Sequence, residues 1–152
     1  MKPLTIGVLS DTHGLVRPEA LAALAGVCHI VHAGDIGGPD VLAALQAIAP
    51  VTAVRGNNDH GAFAASLPER ATVTLAGLVL HVVHDLGELA IDPVRAGVAV
   101  VIAGHSHRPR IERVAGVLHL NPGSAGPRRF RLPVTLARLF ADGQAELVEL
   151  VP

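Results

Sequence analysis

Seven residues of metal-ligating type stand where short apolar runs of this chain end: Asp11, His13, Asp35, Asn57, His84, His105 and His107. Asp11 and His13 are two apart, as are His105 and His107 in Gly104-His105-Ser106-His107. At a strand end that spacing lets both side chains face one way. Gly34 and Gly56 precede Asp35 and Asn57, and glycine permits backbone shapes that let a ligand approach closely. Carboxylate, imidazole and amide oxygen, without thiolate, form a donor set for Zn, Mn, Fe or a similar divalent metal. One metal takes about four to six donors, so seven, with Asp35 as a bridge, suit two metals better than one. Two metals about 3.5–4 Å apart clamp the attacking and leaving oxygens of an in-line displacement at phosphorus, and they lower the pKa of water to give hydroxide at neutral pH. Two dications outweigh Asp11, Asp35 and one bridging hydroxide, so such a site favours an anionic substrate.

These residues need a scaffold that brings loop after loop to one edge. Residues 4–9 predict a strand that runs out at Ser10-Asp11-Thr12-His13-Gly14. Pro18 and Glu19 open a helix over 20–25 that Gly26 stops. A second strand over 27–33 ends at Gly34-Asp35, and Pro39-Asp40 opens a helix over 41–49 that Pro50 closes. A third strand over 51–55 ends at Gly56-Asn57-Asn58-Asp59. Strand, loop and helix repeated in this way signal a parallel sheet with crossover helices. In open α/β sheets ligands bind beyond the carboxyl ends of the strands.

The second half reads as hairpins: 71–75 with 78–83 around Ala76-Gly77, 111–114 with 117–120 around Ala115-Gly116, and 134–140 with 145–151 around Asp142-Gly143. Residues 98–103 predict a fully apolar strand, and 89–96 a short helix limited by Pro93. The whole of 1–152 reads as one α/β domain with added antiparallel strands.

Composition excludes several classes. Cys28 is the one cysteine, which forbids an intrachain disulfide framework and a cysteine-rich zinc site. Lys2 is the one lysine, so no Walker-type phosphate loop exists. A net charge of −1 and only three aromatic residues argue against an extended nucleic-acid footprint. Apolar runs break well before 18 residues, so no membrane span is expected. Met1-Lys2-Pro3-Leu4 leads straight toward a strand-like run without a signal-like apolar segment. A cytoplasmic location is the expectation.

In order, Asp11-x-His13, Gly34-Asp35, Gly56-Asn57-x-Asp59, His84 and Gly104-His105-Ser106-His107 resemble the motifs of the calcineurin-like metallophosphoesterase superfamily. The match runs from about Leu4 to Ser124. The short length and Asn121-Pro122-Gly123-Ser124 are similar to its small bacterial and archaeal phosphodiesterases, and these in turn to the scaffold subunit of retromer. The resemblance implies two facing mixed β-sheets, a β-sandwich, flanked by helices. It implies that Asp11, His13, Asp35 and His107 hold a first metal, and Asp35, Asn57, His84 and His105 a second. Asp35, Asn57 and His105 would then serve catalysis. The implied activity is hydrolysis of phosphate esters, phosphodiesters favoured, by a hydroxide bridging the metals. Manganese is the favoured metal, with Fe, Zn, Ni or Co as others. A non-catalytic metal-binding scaffold is the alternative.

Two departures from the pattern matter. Asn58 stands where many members carry a histidine that serves as leaving-group acid, with His60 a nearby substitute. His84-Asp85 replaces the usual His-Gly, with Leu86 where a second histidine is common.

Other residues read more plainly. His29, His81 and a buried Cys28 belong to strands. His32 and His119 either fill the core or brace the site. Asp59 orients a ligand or caps a turn, and Arg55 pairs with Asp59 or with a substrate phosphate. Arg128, Arg129 and Arg131 form a solvated face or steer an anion. The expected partners are a small phosphoester substrate and a second copy of the chain in a homo-oligomer.

Overall fold

The apolar runs become strands, of which Thr5–Leu9, His29–His32 and Val100–Ile102 are the most fully buried, and they assemble into two sheets. The computed structural model describes residues 4–152; Met1 to Pro3, the lead-in to the first strand, lies outside the described residues. In the first sheet β1 (Thr5–Leu9) lies parallel to β2 (His29–His32), which lies parallel to β3 (Val51–Ala53). Helices α1 (Pro18–Ala23) and α2 (Pro39–Gln46) form the crossovers. A short helix α3 (Gly61–Ala65) follows β3.

The second sheet contains β4 (Arg70–Leu75), β5 (Leu78–Val83), β6 (Val100–Ile102), β7 (Arg110–Val114) and β8 (Val117–Asn121) in the order β4-β5-β6-β8-β7. The terminal hairpin of β9 (Val134–Phe140) and β10 (Ala145–Val151) returns to the first sheet, antiparallel to β1. The architecture is therefore α/β, with two mixed five-stranded sheets.

The sandwich core explains why the strands are aliphatic. Ile6, Val8 and Val31 of the first sheet share one cluster with Leu80, Val82, Val100, Ile102, Leu118 and Leu120 of the second. Ile30, Leu136, Val41 and Leu45 form another cluster between the first sheet and its helices. Val41 and Leu45, four apart on α2, are its buried pair, as helical spacing requires. Both Ala-Gly hairpins turn on two left-handed residues, with φ of 52° and 79° at Ala76-Gly77 and 53° and 82° at Ala115-Gly116. That matches the right-handed twist of the flanking strands.

Two expectations fail and one short helix goes unanticipated, each for an identifiable reason. The helix expected over 89–96 is absent. A 3-10 turn at Leu86–Glu88 is capped by Asp85, and Asp92 caps a turn ending at Gly97. Leu86, Leu89 and Ile91 instead lie along the second sheet against Val101 and Val117. Helix α3 is five residues long, too short to show a helical period in sequence. Cys28 is exposed, not buried: β2 begins one residue later, and Val27 is the residue turned into the helix layer. Among the described residues no helix is long and apolar enough to cross a membrane.

Candidate metal centre

The carboxyl ends of β1, β2 and β5 meet at one edge of the sandwich, and the loop after β6 folds onto the same point. Asp11 is fully buried and Asp35 nearly so. Asp11 Oδ1 lies 3.4 Å from His107 Nε2, 3.8 Å from His13 Nε2 and 3.9 Å from His84 Nε2. Asp35 Oδ2 lies 3.3 Å from His84 Nε2 and 3.8 Å from His13 Nε2. Two sets of donor atoms are thus close enough for one ion each: Asp11, His13 and His107, and Asp11, Asp35 and His84. Asp11 is common to both sets, while Asp35 reaches toward both through His84 and His13.

Asp11 Oδ1, His13 Nε2 and His84 Nε2 are buried with no hydrogen-bond partner among the described residues. Unpaired buried polar atoms cost about 1–3 kcal/mol each. Three of them converging with carboxylate and imidazole chemistry fit divalent cations.

The surroundings fix each ligand. His84 Nδ1 lies 2.8 Å from Ala33 O. A carbonyl only accepts, so Nδ1 carries the proton donated there and Nε2 faces the carboxylates. Asn58 donates its backbone N–H to Asp35 Oδ1 at 2.9 Å and its amide to Oδ2 at 3.0 Å. Burial alone would raise the Asp35 carboxyl; the His84 ring and the Asn58 donors overcome this and hold it well below the usual carboxylate range. Burial would lower His84, but Asp35 and Asp11 outweigh it and raise its pKa. Burial, together with Arg129 and His13, lowers His107 despite Asp11. Ser10 Oγ donates to Asp11 Oδ2 at 2.6 Å, and the His105 backbone N–H to the same oxygen at 3.1 Å.

Asn57 and His105 are exposed and stand beside the cluster as a pair. His105 Nδ1 lies 3.2 Å from Asn57 Oδ1, and its Nε2 3.8 Å from Asp85 Oδ2. The His105 ring also meets His84 edge-on, with centroids 5.2 Å apart. Asn57, His84 and His105 line a cleft of about 200 Å³ with Arg55 and Asp85. Five of the seven candidate residues have left-handed backbone: Asp11 (φ 57°), His13 (47°), Asp35 (56°), His105 (69°) and His107 (61°). Such conformations cluster at functional sites because the surroundings must hold them there.

Behind the site the structure gives bracing roles to Ser10 and Thr12, which have none assigned from sequence, and decides for bracing at His32. Thr12 Oγ1 donates to Ile36 O, so His32 Nε2 donates to Thr12 Oγ1 at 2.9 Å, and His32 Nδ1 accepts from Gly34 N–H. Both His32 nitrogens are satisfied in the neutral ring, and burial pushes its pKa down to about 3. Ser124 Oγ donates to Asp11 O, and Asn121 donates to Gly104 O and Ser106 Oγ. Short polar residues beside a ligand, such as Ser10 and Thr12, are the signal that could have found them. Arg55 does not reach Asp59; it pairs with Glu69 at 3.0 Å. Asp59 instead accepts from the backbone of Ile36, Gly37 and Gly56. His29 and His81 bond Thr52 and Thr72, and His60 stands exposed at the start of α3.

A two-sheet sandwich with Asp, His and Asn gathered at its strand ends is the architecture of a metal-dependent phosphoesterase. Residues 4–144 match the calcineurin-like phosphoesterase superfamily domain, and the chain belongs to that superfamily. A probable metallophosphoesterase of Methanothermobacter thermautotrophicus is 32% identical, over 97% of this chain and 92% of that protein. The fold is also that of an archaeal phosphodiesterase structure (TM-score 0.78, 22% identity, 97% of this chain and 100% of that one). It is shared by a zinc-complexed Vps29 from Entamoeba histolytica (TM-score 0.73, 22% identity, the same coverage).

Proposed function

We propose that residues 1–152 form a single domain that hydrolyses phosphate esters, phosphodiesters favoured, with two divalent cations, manganese favoured. The observation that carries this is the convergence of buried, unpaired donor atoms on Asp11 Oδ1. Asp11, His13, Asp35 and His107 would hold one cation and Asp35, Asn57, His84 and His105 the other, with Asp35 common to both. When bound, such cations neutralise phosphoryl charge and lower the pKa of water.

The chain's own residues prepare this. Ala33 fixes the His84 tautomer, Asn58 grips both Asp35 oxygens, and Glu69 holds Arg55 at the wall of the cleft that Asn57 and His105 line. Asn58 carries no titratable proton and its amide is committed to Asp35, so esters with good leaving groups should turn over best. With one free thiol, exposed at Cys28, a reducing compartment such as the cytoplasm is the location we assign.

The test is hydrolysis of bis(4-nitrophenyl) phosphate with added manganese. Wild type should turn it over and bind two metals per chain, and Asp35→Asn should abolish the reaction. Full activity in that variant would refute the two-metal function. Metal binding without turnover across a phosphoester panel would favour the scaffold alternative.

A further inference from the structure

The outer face of the second sheet, away from the sandwich core, is only partly covered. The crossover from β5 to β6 lays Leu86, Leu89 and Ile91 over Val79, Val101 and Val117. The β7–β8 hairpin raises Arg108, Arg110 and Glu112 along the other side. Between them lies a trough of about 480 Å³, well inside the range of roughly 300–1,000 Å³ typical of small-molecule pockets.

Sheet register explains its lining. Val101 pairs with His119, and His119 with Glu112, so these three form one row across the outer face. Val101 and Ala103 give an apolar floor, and His119 the polar point in it. His119 Nδ1 is buried with no hydrogen-bond partner among the described residues, and burial with nearby Arg110 lowers the pKa of the ring, keeping it neutral. Arg110 is itself tied to Glu112 at 2.6 and 2.8 Å. An apolar floor with one neutral imidazole set into it is a surface on which a planar ring can pack.

The trough also has a direction. Asp85 and His105 line both it and the smaller cleft beside His84 and Asn57. A phosphoryl group at the metal centre would therefore have one of its ester arms at the mouth of the trough. We infer that the trough is the subsite for a ring-bearing ester group, an inference that rests on the phosphoesterase function proposed above. The substrate class is then a phosphoester of an aromatic or heteroaromatic-bearing alcohol, and His119 is the residue that selects it.

Phosphonates test this without turnover, because their carbon–phosphorus bond is not an ester. Phenylphosphonate and methylphosphonate carry the same head group and differ only in the ring. Calorimetric titration of the manganese-loaded protein should show phenylphosphonate binding more tightly. His119→Leu and Ala103→Leu should each cut that preference by about tenfold or more, the scale on which a methylene-sized change in an apolar pocket is felt. In wild type, phenylphosphonate and not methylphosphonate should shift the His119 ring signals in NMR spectra. Equal affinity for the two phosphonates, or a preference unaltered by both substitutions, overturns the subsite while leaving the phosphoesterase function standing. Failure of either phosphonate to bind the metal-loaded chain removes the function and the subsite with it.

Discussion

Asp59 is the residue whose removal should do most harm to the site without touching a candidate ligand. Its side chain is 8% exposed and joins two loops that no strand pairing holds together. Oδ1 accepts from Ile36 N–H at 2.9 Å and Gly37 N–H at 3.1 Å, and Oδ2 from Gly56 N–H at 2.9 Å. The first two donors follow Asp35 and the third precedes Asn57. Hydrogen bonds to a charged acceptor contribute about 1.5–3 kcal/mol each. Ile36 and Gly56 are buried and would lose theirs outright, whereas water can replace the bond at exposed Gly37.

Asp59→Ala should therefore cost about 3–6 kcal/mol, a fall in Tm of about 10 °C or more for a chain of this size. With the clamp gone, Asp35 and Asn57 lose their fixed separation, and manganese affinity should fall about 10–100-fold, the scale seen when partners behind metal ligands are removed. Denaturant unfolding gives the first quantity and calorimetric metal titration the second. A variant within about 1 kcal/mol of wild type that keeps full manganese affinity would refute the clamp.

Two further substitutions probe the same edge. His32 has a folded pKa of about 3 against 6.5 unfolded, so the unfolded chain takes up the proton first as pH falls. The stability of the neutral ring is present above pH 6.5 and declines toward pH 3 at about 1.4 kcal/mol per unit. Between pH 6 and pH 4 the wild type should lose about 2–3 kcal/mol more than His32→Gln in denaturant titrations, and parallel curves would contradict this. His13 holds a left-handed φ of 47°, which a Cβ disfavours by about 1 kcal/mol. His13→Gly should thus be more stable than His13→Ala by about that amount in thermal melts, against the usual order of the two residues; the ordinary order would count against strain at this position.

The sheets were legible because their signals are strong and repeated. A strand covered on both faces must be apolar throughout, so Thr5–Leu9 and Val100–Ile102 stand out, with Ser10-Asp11 directly after the first and His105 after Ala103-Gly104 in the second. The same rule failed at the margins: Cys28 and Ala49 look apolar, yet β2 and α2 stop short of them. Segment 86–97 misled because its leucines and isoleucine do cover the sheet, as helix residues would, but from turns around Asp85 and Asp92. All seven candidate ligands come to one edge, but their grouping was not legible. Spacing says which residues share a loop, and it cannot say that Asp11 Oδ1 lies among three imidazoles while Asn57 and His105 stand aside as a pair.

The glycines and the ligands divide the geometric work of the site in a way that sequence reading inverts. Gly34 does have left-handed backbone, with φ of 103°. Gly56, Gly104 and Gly126 do not; what they supply is room. A Cβ on Gly56 would strike the backbone N and Oδ1 of Asp35, on Gly104 the Ser10 hydroxyl and Asp11 Oδ2, and on Gly126 the carbonyls of Asp11 and Thr12. The turning that glycine usually performs falls instead to Asp11, His13, Asp35, His105 and His107 themselves. Aspartate and histidine tolerate that backbone better than most residues, so one residue can both bend the chain and carry the donor. Asp11, Asp35 and His105 can then each stand within three residues of the strand that precedes them. The strain collected at the edge is held by the buried strands β1, β2, β5 and β6 behind it, and this is how polar atoms at the centre can stand unpaired.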